Sequence, residues 1–512
     1  MGRGGEVVTE TLDRPERLGP ASLDRLPAAI ERPGYDRAAL TIGMAHVGVG
    51  AFHRAHQAEY TDDLLRLSLD RRGVVGVNIR APELAGTLGR QGGLYTRLCR
   101  SGDRTEARVI GSILSVVDSQ AGPAPALAVL AAPEVDVVTL TVTEKGYCHR
   151  PASGALDATL PDIVHDLAGP EAPRSLPGLL VRALELRMLS HRRPVTVISC
   201  DNIPGNGAIL GRVVQALAER RGGGLPDWIA ANAAFPSTMV DRIAPATTPA
   251  DLAWIERAHG YRDDAAVVGE PIRQWVVETR FAGRVPRWAS AGAAFVDDVT
   301  PFEQLKMRVL NAAQSTLAYL GLLAGREHSS DAVADPLLAA FVRRMLVAES
   351  APTLPPVPGV APIAYVEQCL DRLRNTAIRH RCHQIATDGS QKIVQRLLDP
   401  AGERLRRGED ITLLSVAIAA WMAYLIRASN RFGRAWTVED PEAGRVAAIA
   451  DRVGHDPQAL VAAILAIDTV FDRELAAREA FRTPLAAALD GLLSGDPLAV
   501  VRRALDTEEN RT

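Results

Sequence analysis

A short apolar strand that runs into Gly48-Val49-Gly50 and then into a helix constrains this chain more than any other stretch. A Gly-x-Gly turn between strand and helix lets backbone come close to a pyrophosphate at a helix N-terminus. The third glycine of the usual dinucleotide fingerprint is missing, and His53 stands in its place. Downstream, the apolar runs Val74–Ile79, Ala107–Ile113, Asp136–Thr143 and Pro194–Cys200 read as strands, with helix-like stretches between or after them. Alternation of this kind predicts an α/β fold, a doubly wound Rossmann-type sheet whose ligands lie at the carboxyl ends of its strands.

From Phe302 on, the pattern turns almost wholly helical, broken at Pro336, Pro352–Pro358, Pro400 and Pro457. The expected organisation is therefore a Rossmann-type N-terminal domain over residues 40–286 and a mainly α-helical C-terminal domain over 287–507. Residues 1–38 mix Pro, Arg and Gly without period and read as an extension over the surface.

Composition excludes several classes. The 512 residues are enough for two full cores, and 47% hydrophobic with 23% charged is ordinary for a globular chain. A formal net charge of -3 gives no reason to expect a nucleic-acid or membrane partner. Five scattered cysteines argue against a disulfide framework and for a reducing compartment, so a cytoplasmic location is expected. Met1 to Glu10 has no apolar h-region. The run Val416–Ile426 is too short to span a bilayer and reads as a core helix. Neither CxxC nor HExxH occurs, so no metal site is expected. The chain reads as a monomer or small homo-oligomer acting on a small molecule.

The second informative stretch is Phe302–Ser315. Leu305, Val309, Ala312 and Thr316 form one apolar stripe at helical spacing. Lys306, Asn311 and Gln314 lie off it. In an α-helix Gln314 falls ~80° and Asn311 ~140° around from Lys306. Lys and Asn on one arc suit a general base and an oxyanion donor; the alternative is a solvated helix face.

Lys306-x-x-x-x-Asn311 resembles the signature helix of the polyol-specific long-chain dehydrogenases, which include mannitol dehydrogenase and mannonate oxidoreductase (fructuronate reductase). Gln314 stands where that pattern usually has His. The resemblance recurs in Gly48-x-Gly50-x-Phe52-x-Arg54-Ala55-His56, Gln91–Tyr95, Thr141–Tyr147, Ser199–Gly207, Phe235–Pro245, Glu270–Glu278, Asn375–His380 and Asp388–Lys392. The string around Gln384 and Asp388-Gly389-Ser390-Gln391-Lys392 looks more like the mannonate oxidoreductases.

The resemblance implies an NAD(P)-dependent oxidoreductase that interconverts a secondary alcohol of a sugar acid or polyol and its ketone. D-mannonate and D-fructuronate are the expected pair, with mannitol and fructose as the alternative and a non-catalytic cofactor-binding protein as the rival of another class. Lys306 would be the base, with Asn311 and Asn202 as donors to the alkoxide oxygen. Gln314, Asp241, Arg379 and Lys392 would meet substrate, with Arg396 a further candidate cation. Gly48, Gly50, Phe52, Arg54, Thr143, Glu144 and Lys145 would border the cofactor. Glu83, an acid after the second strand, favours NAD, while Arg80 leaves NADP open. Lys306 must lose its proton to act as a base, which calls for desolvation or neighbouring positive charge. Asp201 and Asn206 also suit a turn held by side-chain hydrogen bonds.

Overall fold

The computed structural model describes residues 15–79, 82–150, 153–429 and 436–509; Met1 to Glu10 and Arg80 lie outside them. The chain divides into two compact units. The first runs to Arg100 and resumes over Thr105–Phe295; the second takes Ser101–Arg104 and Val296–Thr512. The boundary thus lies beyond the expected 286. The reason is local: Trp288 packs against Trp275 at a tilt with ring centroids 4.4 Å apart, and Arg273 donates to the Ala291 carbonyl, both within the first unit.

In chain order the strands are β1 (Glu16–Arg17), β2 (Thr41–Val47), β3 (Arg72–Asn78), β4 (Tyr95–Ser101), β5 (Arg104–Ile110), β6 (Ile113–Asp118) and β7 (Val137–Leu140). They continue with β8 (Val195–Ser199), β9 (Ala233–Ala234), β10 (Thr238–Asp241), β11 (Tyr261–Arg262), β12 (Val267–Gly269), β13 (Gln274–Glu278) and β14 (Ala294–Val296). The main sheet has the order β6-β3-β2-β7-β8-β9, and its recorded pairings are parallel. β3, β7 and β8 are buried along their whole length, as continuous apolar strands covered on both faces must be. The chain winds outward from β2 to β6, then returns to β7 beside β2. That reversal puts the switch point, where doubly wound sheets bind ligands, between β2 and β7.

The run Ala107–Ile113 is not one strand. It straddles β5, which belongs to a three-stranded sheet with β4 and β12, and β6, the edge of the main sheet. Residues 15–39 are also tied in more firmly than a surface extension. Leu18, Leu26 and Ile30 are buried, and Arg37 donates to the carbonyls of Gly92, Gly111 and Ile113.

Two buried polar groupings hold the first unit. On the helix Gln57–Arg66, Glu59 pairs with Arg97 at 3.0 Å and with Arg242, while Asp62 and Asp63 take Arg108. Burial alone would push the Glu59 carboxyl up, but Arg242, Arg97 and Arg273 outweigh it and hold it at about 2. Glu59→Gln would leave buried guanidinia without their carboxylate. It should cost the first unit ~3–5 kcal/mol, read as a lower urea midpoint of its unfolding transition.

The second grouping is histidine. His46 on β2 stacks flat on His53 with ring centroids 3.3 Å apart and hydrogen-bonds Thr139 (2.8 Å) and Thr141 (2.9 Å). His56 hydrogen-bonds the Gln274 carbonyl at 2.9 Å. Burial drives His46 and His56 down to about 3, and holds His53 well below its ordinary value.

The second unit is helical. Its apolar run Val416–Ile426 lies in the helix Thr412–Ile426, buried from Leu413 on. No helix among the described residues is long and apolar enough to cross a membrane. None of the five cysteines forms a disulfide among the described residues.

Candidate active site

In the first unit, the turn after β2 is built as the glycine spacing predicts. Gly48 has φ +90°, and a Cβ there would come within 2.1 Å of the Thr141 carbonyl oxygen, so only glycine fits. Its carbonyl accepts from the Thr141 hydroxyl at 2.7 Å, which joins this turn to the loop after β7. Gly50 caps the short helix Ala51–Ala55, and Phe52 stacks on His56 at 5.0 Å. Arg54 points inward. Its guanidinium donates to the carbonyls of Gly50 and Ala265 and lies over the Tyr95 ring, so its hydrogen bonds brace the turn from behind and give no support to phosphate neutralisation.

The loops after β7 and β8 are lashed together by one carboxylate. Asp201 accepts from the backbone N–H of Val142 and of Thr143, both at 3.0 Å, and from the Tyr147 hydroxyl at 2.7 Å. Burial raises the Asp201 carboxyl, and these bonds work against the rise. Thr143 is held at φ +68°, a conformation uncommon for a residue with a Cβ. Asn206 donates to the carbonyls of Asp201 and Thr238 and accepts from the Thr238 N–H, each at 2.9 Å. Asp201 and Asn206 are thus the fasteners of this loop. Asn202 is exposed between them, as are Thr143 and Lys145 on the neighbouring loop, with Glu144 half-buried. Glu83 is exposed in the first turn of the helix Pro82–Arg90. Asp241 ends β10, buried; its neighbour Arg242 pairs with Glu59.

In the second unit, the signature stretch departs from the expected regular helix. An α-helix over Thr300–Leu305 gives way to a π-helix over Lys306–Asn311, and α-geometry resumes over Ala312–Leu323. The Ala312 N–H reaches back to the Met307 carbonyl, five residues earlier. A π-turn bonds i to i+5 and widens the winding, so Lys306 and Asn311 lie closer together around the axis than the ~140° of an α-helix. Both are buried, at 5% and 4% exposure, which removes the solvated-face reading; Gln314 is half-buried. Turns of this kind are frequent at functional sites.

Arg396, itself in a π-helical stretch (Val394–Leu398), is buried beneath this helix and donates to the Ser315 hydroxyl at 2.8 Å and the Asn311 carbonyl at 3.4 Å. It therefore supports the helix backbone. Lys392 is half-buried, with Nζ donating to the Thr387 carbonyl. It also faces His380, which burial, reinforced by this ammonium, holds down to about 4. Arg379 is exposed. The motif residue Asp388 sits at φ +53°, and its neighbour Ser390 donates its N–H to Asp440 at 2.7 Å.

These two sets of residues fall on segments that known proteins share. The profile of the mannitol dehydrogenase Rossmann domain matches residues 42–290, and that of the mannitol dehydrogenase C-terminal domain matches 298–493. The chain belongs to the mannitol dehydrogenase family. It is 42% identical to D-mannonate oxidoreductase of Escherichia coli over 420 residues, 81% of this chain and 86% of that one. It is 36% identical to mannitol 2-dehydrogenase of Phaeosphaeria nodorum over 441 residues, 84% of this chain and 78% of that one. Among solved structures it resembles Pseudomonas fluorescens mannitol 2-dehydrogenase, a ternary complex with NAD and D-mannitol. There the TM-score is 0.88 and the identity 33%, covering 96% of this chain and 99% of that one. Membership makes the chain an oxidoreductase.

Sequence reasoning missed three features of this family member. The π-turn has no residue signature, because the apolar stripe reads through it unchanged. The inward turn of Arg54 and the placement of Arg396 depend on acceptors far along the chain. A carboxylate trio also went unseen: ligand oxygens of Glu349, Asp410 and Glu508 lie within 4.8 Å of one another. Glu349 accepts from the N–H groups of Leu413 and Leu414, capping the helix Thr412–Ile426, and burial pushes it up to about 7.

Proposed function

We propose that this protein is an NAD-dependent oxidoreductase that interconverts a sugar acid and its keto form, with D-mannonate and D-fructuronate as the pair. The observation that carries the reading is the burial of Lys306 and Asn311 at the two ends of one π-turn. Burial disfavours an ammonium, which is what a lysine base requires. In the oxidative direction Lys306 accepts the hydroxyl proton, and Asn311 and Asn202 donate to the oxygen as charge builds on it, each contributing ~3 kcal/mol. Gln314 offers a donor and an acceptor to the remaining hydroxyls but cannot titrate. Asp241 meets hydroxyls as well, and Lys392 or Arg379 meets the carboxylate.

The turn after β2 fits a dinucleotide, since Gly48 presents backbone with no side chain at the start of a helix. Gly48, Gly50 and Phe52 would hold it there, with Thr143, Glu144 and Lys145 at the nicotinamide end and Glu83 at the adenosine ribose. NAD, when bound, supplies the hydride acceptor.

The sugar-acid assignment is supported by the 42% identity to D-mannonate oxidoreductase. The second reading, a mannitol 2-dehydrogenase, is favoured by the likeness to the NAD and D-mannitol complex. Oxidation of NADH and NADPH with fructuronate, tagaturonate and fructose separates the two. Fructuronate with NADH should give the highest kcat/KM. A preference for fructose would replace the first reading by the second, and a preference for NADPH would overturn the role of Glu83.

A further inference from the structure

Asn311 does more in this structure than share a π-turn with Lys306. Its side-chain amide nitrogen lies 3.1 Å from the sulfur of Met307, four residues earlier in the same π-helix. Both side chains are buried, Met307 at 8% exposure and Asn311 at 4%. A thioether sulfur has lone pairs and no hydrogen to give, so only the NH2 edge of the amide can meet it favourably. A flipped amide would set its carbonyl oxygen against the sulfur, repelling it and leaving two buried acceptors facing each other. The backbone at this point is also pinned, since the Asn311 carbonyl accepts from Arg396 and the Met307 carbonyl accepts from the Ala312 N–H.

We propose that Met307 is a positioning residue, whose sulfur fixes the Asn311 amide with its NH2 edge turned toward the reacting oxygen. This rests on the reading of Asn311 as a donor to that oxygen. An amide nitrogen carries two hydrogens. One is taken by the sulfur, and the other then points in a set direction, with the carbonyl end of the amide facing away. A donor held in place before the reaction loses nothing to reorientation as negative charge builds, which is where such groups gain their effect. Residues at i and i+4 are neighbours along a helix, and the long, unbranched Met307 side chain with an acceptor near its end is what reaches the amide.

The test is a double-mutant cycle with NADH and the better of fructuronate and fructose. Met307→Leu keeps volume and apolar character and removes the acceptor. It should lower kcat about fivefold with KM for NADH and for the ketose unchanged, the effect of losing one hydrogen bond's worth of orientation. Asn311→Ala should lower kcat ~100-fold or more. The double variant should match Asn311→Ala alone, because the sulfur acts only through the amide. Met307→Gln, whose side-chain carbonyl can accept from the same NH2 group, should return kcat to within about twofold of wild type. A wild-type kcat for Met307→Leu overturns the proposal. So does an equal loss from Met307→Leu in both backgrounds, or a Met307→Gln variant worse than Met307→Leu. An Asn311→Ala enzyme with undiminished kcat is a different result: it removes the donor role of Asn311 itself.

Discussion

Lys306→Ala is expected to lower kcat by ~1000-fold or more while leaving the Kd for NADH within about twofold of wild type. The base acts on a proton that moves only in the transition state, and the proposed cofactor-holding residues lie on the β2 and β7 loops of the other unit. Stopped-flow binding of NADH by fluorescence and steady-state rates on the same preparation give both numbers. A kcat within tenfold of wild type would assign the proton to another group and leave Lys306 a buried structural cation.

The second large effect concerns the far end of the substrate. A sugar acid carries a carboxylate that fructose lacks, and a carboxylate taken out of water needs a cation. Of the three candidates on the second unit, Arg396 is committed to Ser315 and the Asn311 carbonyl, and Arg379 is exposed. Lys392 is half-buried and beside His380, whose depressed protonation leaves Lys392 the cation of the pair. Lys392→Met should raise KM for fructuronate by ~100-fold and change KM for fructose several-fold at most. Arg379→Met should have the smaller effect on the acid. Equal losses of Lys392→Met on both ketoses would make its ammonium a fastener for the Thr387 turn and nothing more.

Much of this was legible before any coordinates. A parallel sheet buried on both faces leaves uninterrupted apolar runs, and β3, β7 and β8 read from them directly. Gly48 announced its turn, since no other residue takes its backbone angle so close to Thr141. What escaped depends on long-range geometry. Ala107–Ile113 looked like one strand because Gly111 and Ser112 carry no pattern that says the chain is changing sheets. Arg54 and Arg396 looked alike as cations near motifs. Their acceptors are 211 and 81 residues away, and only the fold decides that one braces a turn and one supports the signature helix. The Lys306–Asn311 arc was read from α-helical angles, and a π-turn changes those angles without changing a single apolar position.

The stacked imidazoles under the β2 turn have a consequence for how the protein meets acid. His46, His53 and His56 are buried without charge, and each would take up a proton once unfolding released it to water. The folded values of His46 and His56 lie near 3, so their contribution is whole above about pH 6.5 and is lost as pH falls from there toward 3; His53, held well below its ordinary value, acts in the same direction. Each drains stability at ~1.4 kcal/mol per pH unit across that window, so unfolding at pH 5 should consume close to three protons from these rings alone. The depressed Glu59 extends the same trend to lower pH. Because His46 hydrogen-bonds the Gly48 carbonyl and stacks on His53, acid should cost the protein its dinucleotide cradle and its fold in one cooperative step, visible as a Tm that drops steeply below pH 6 together with NADH binding.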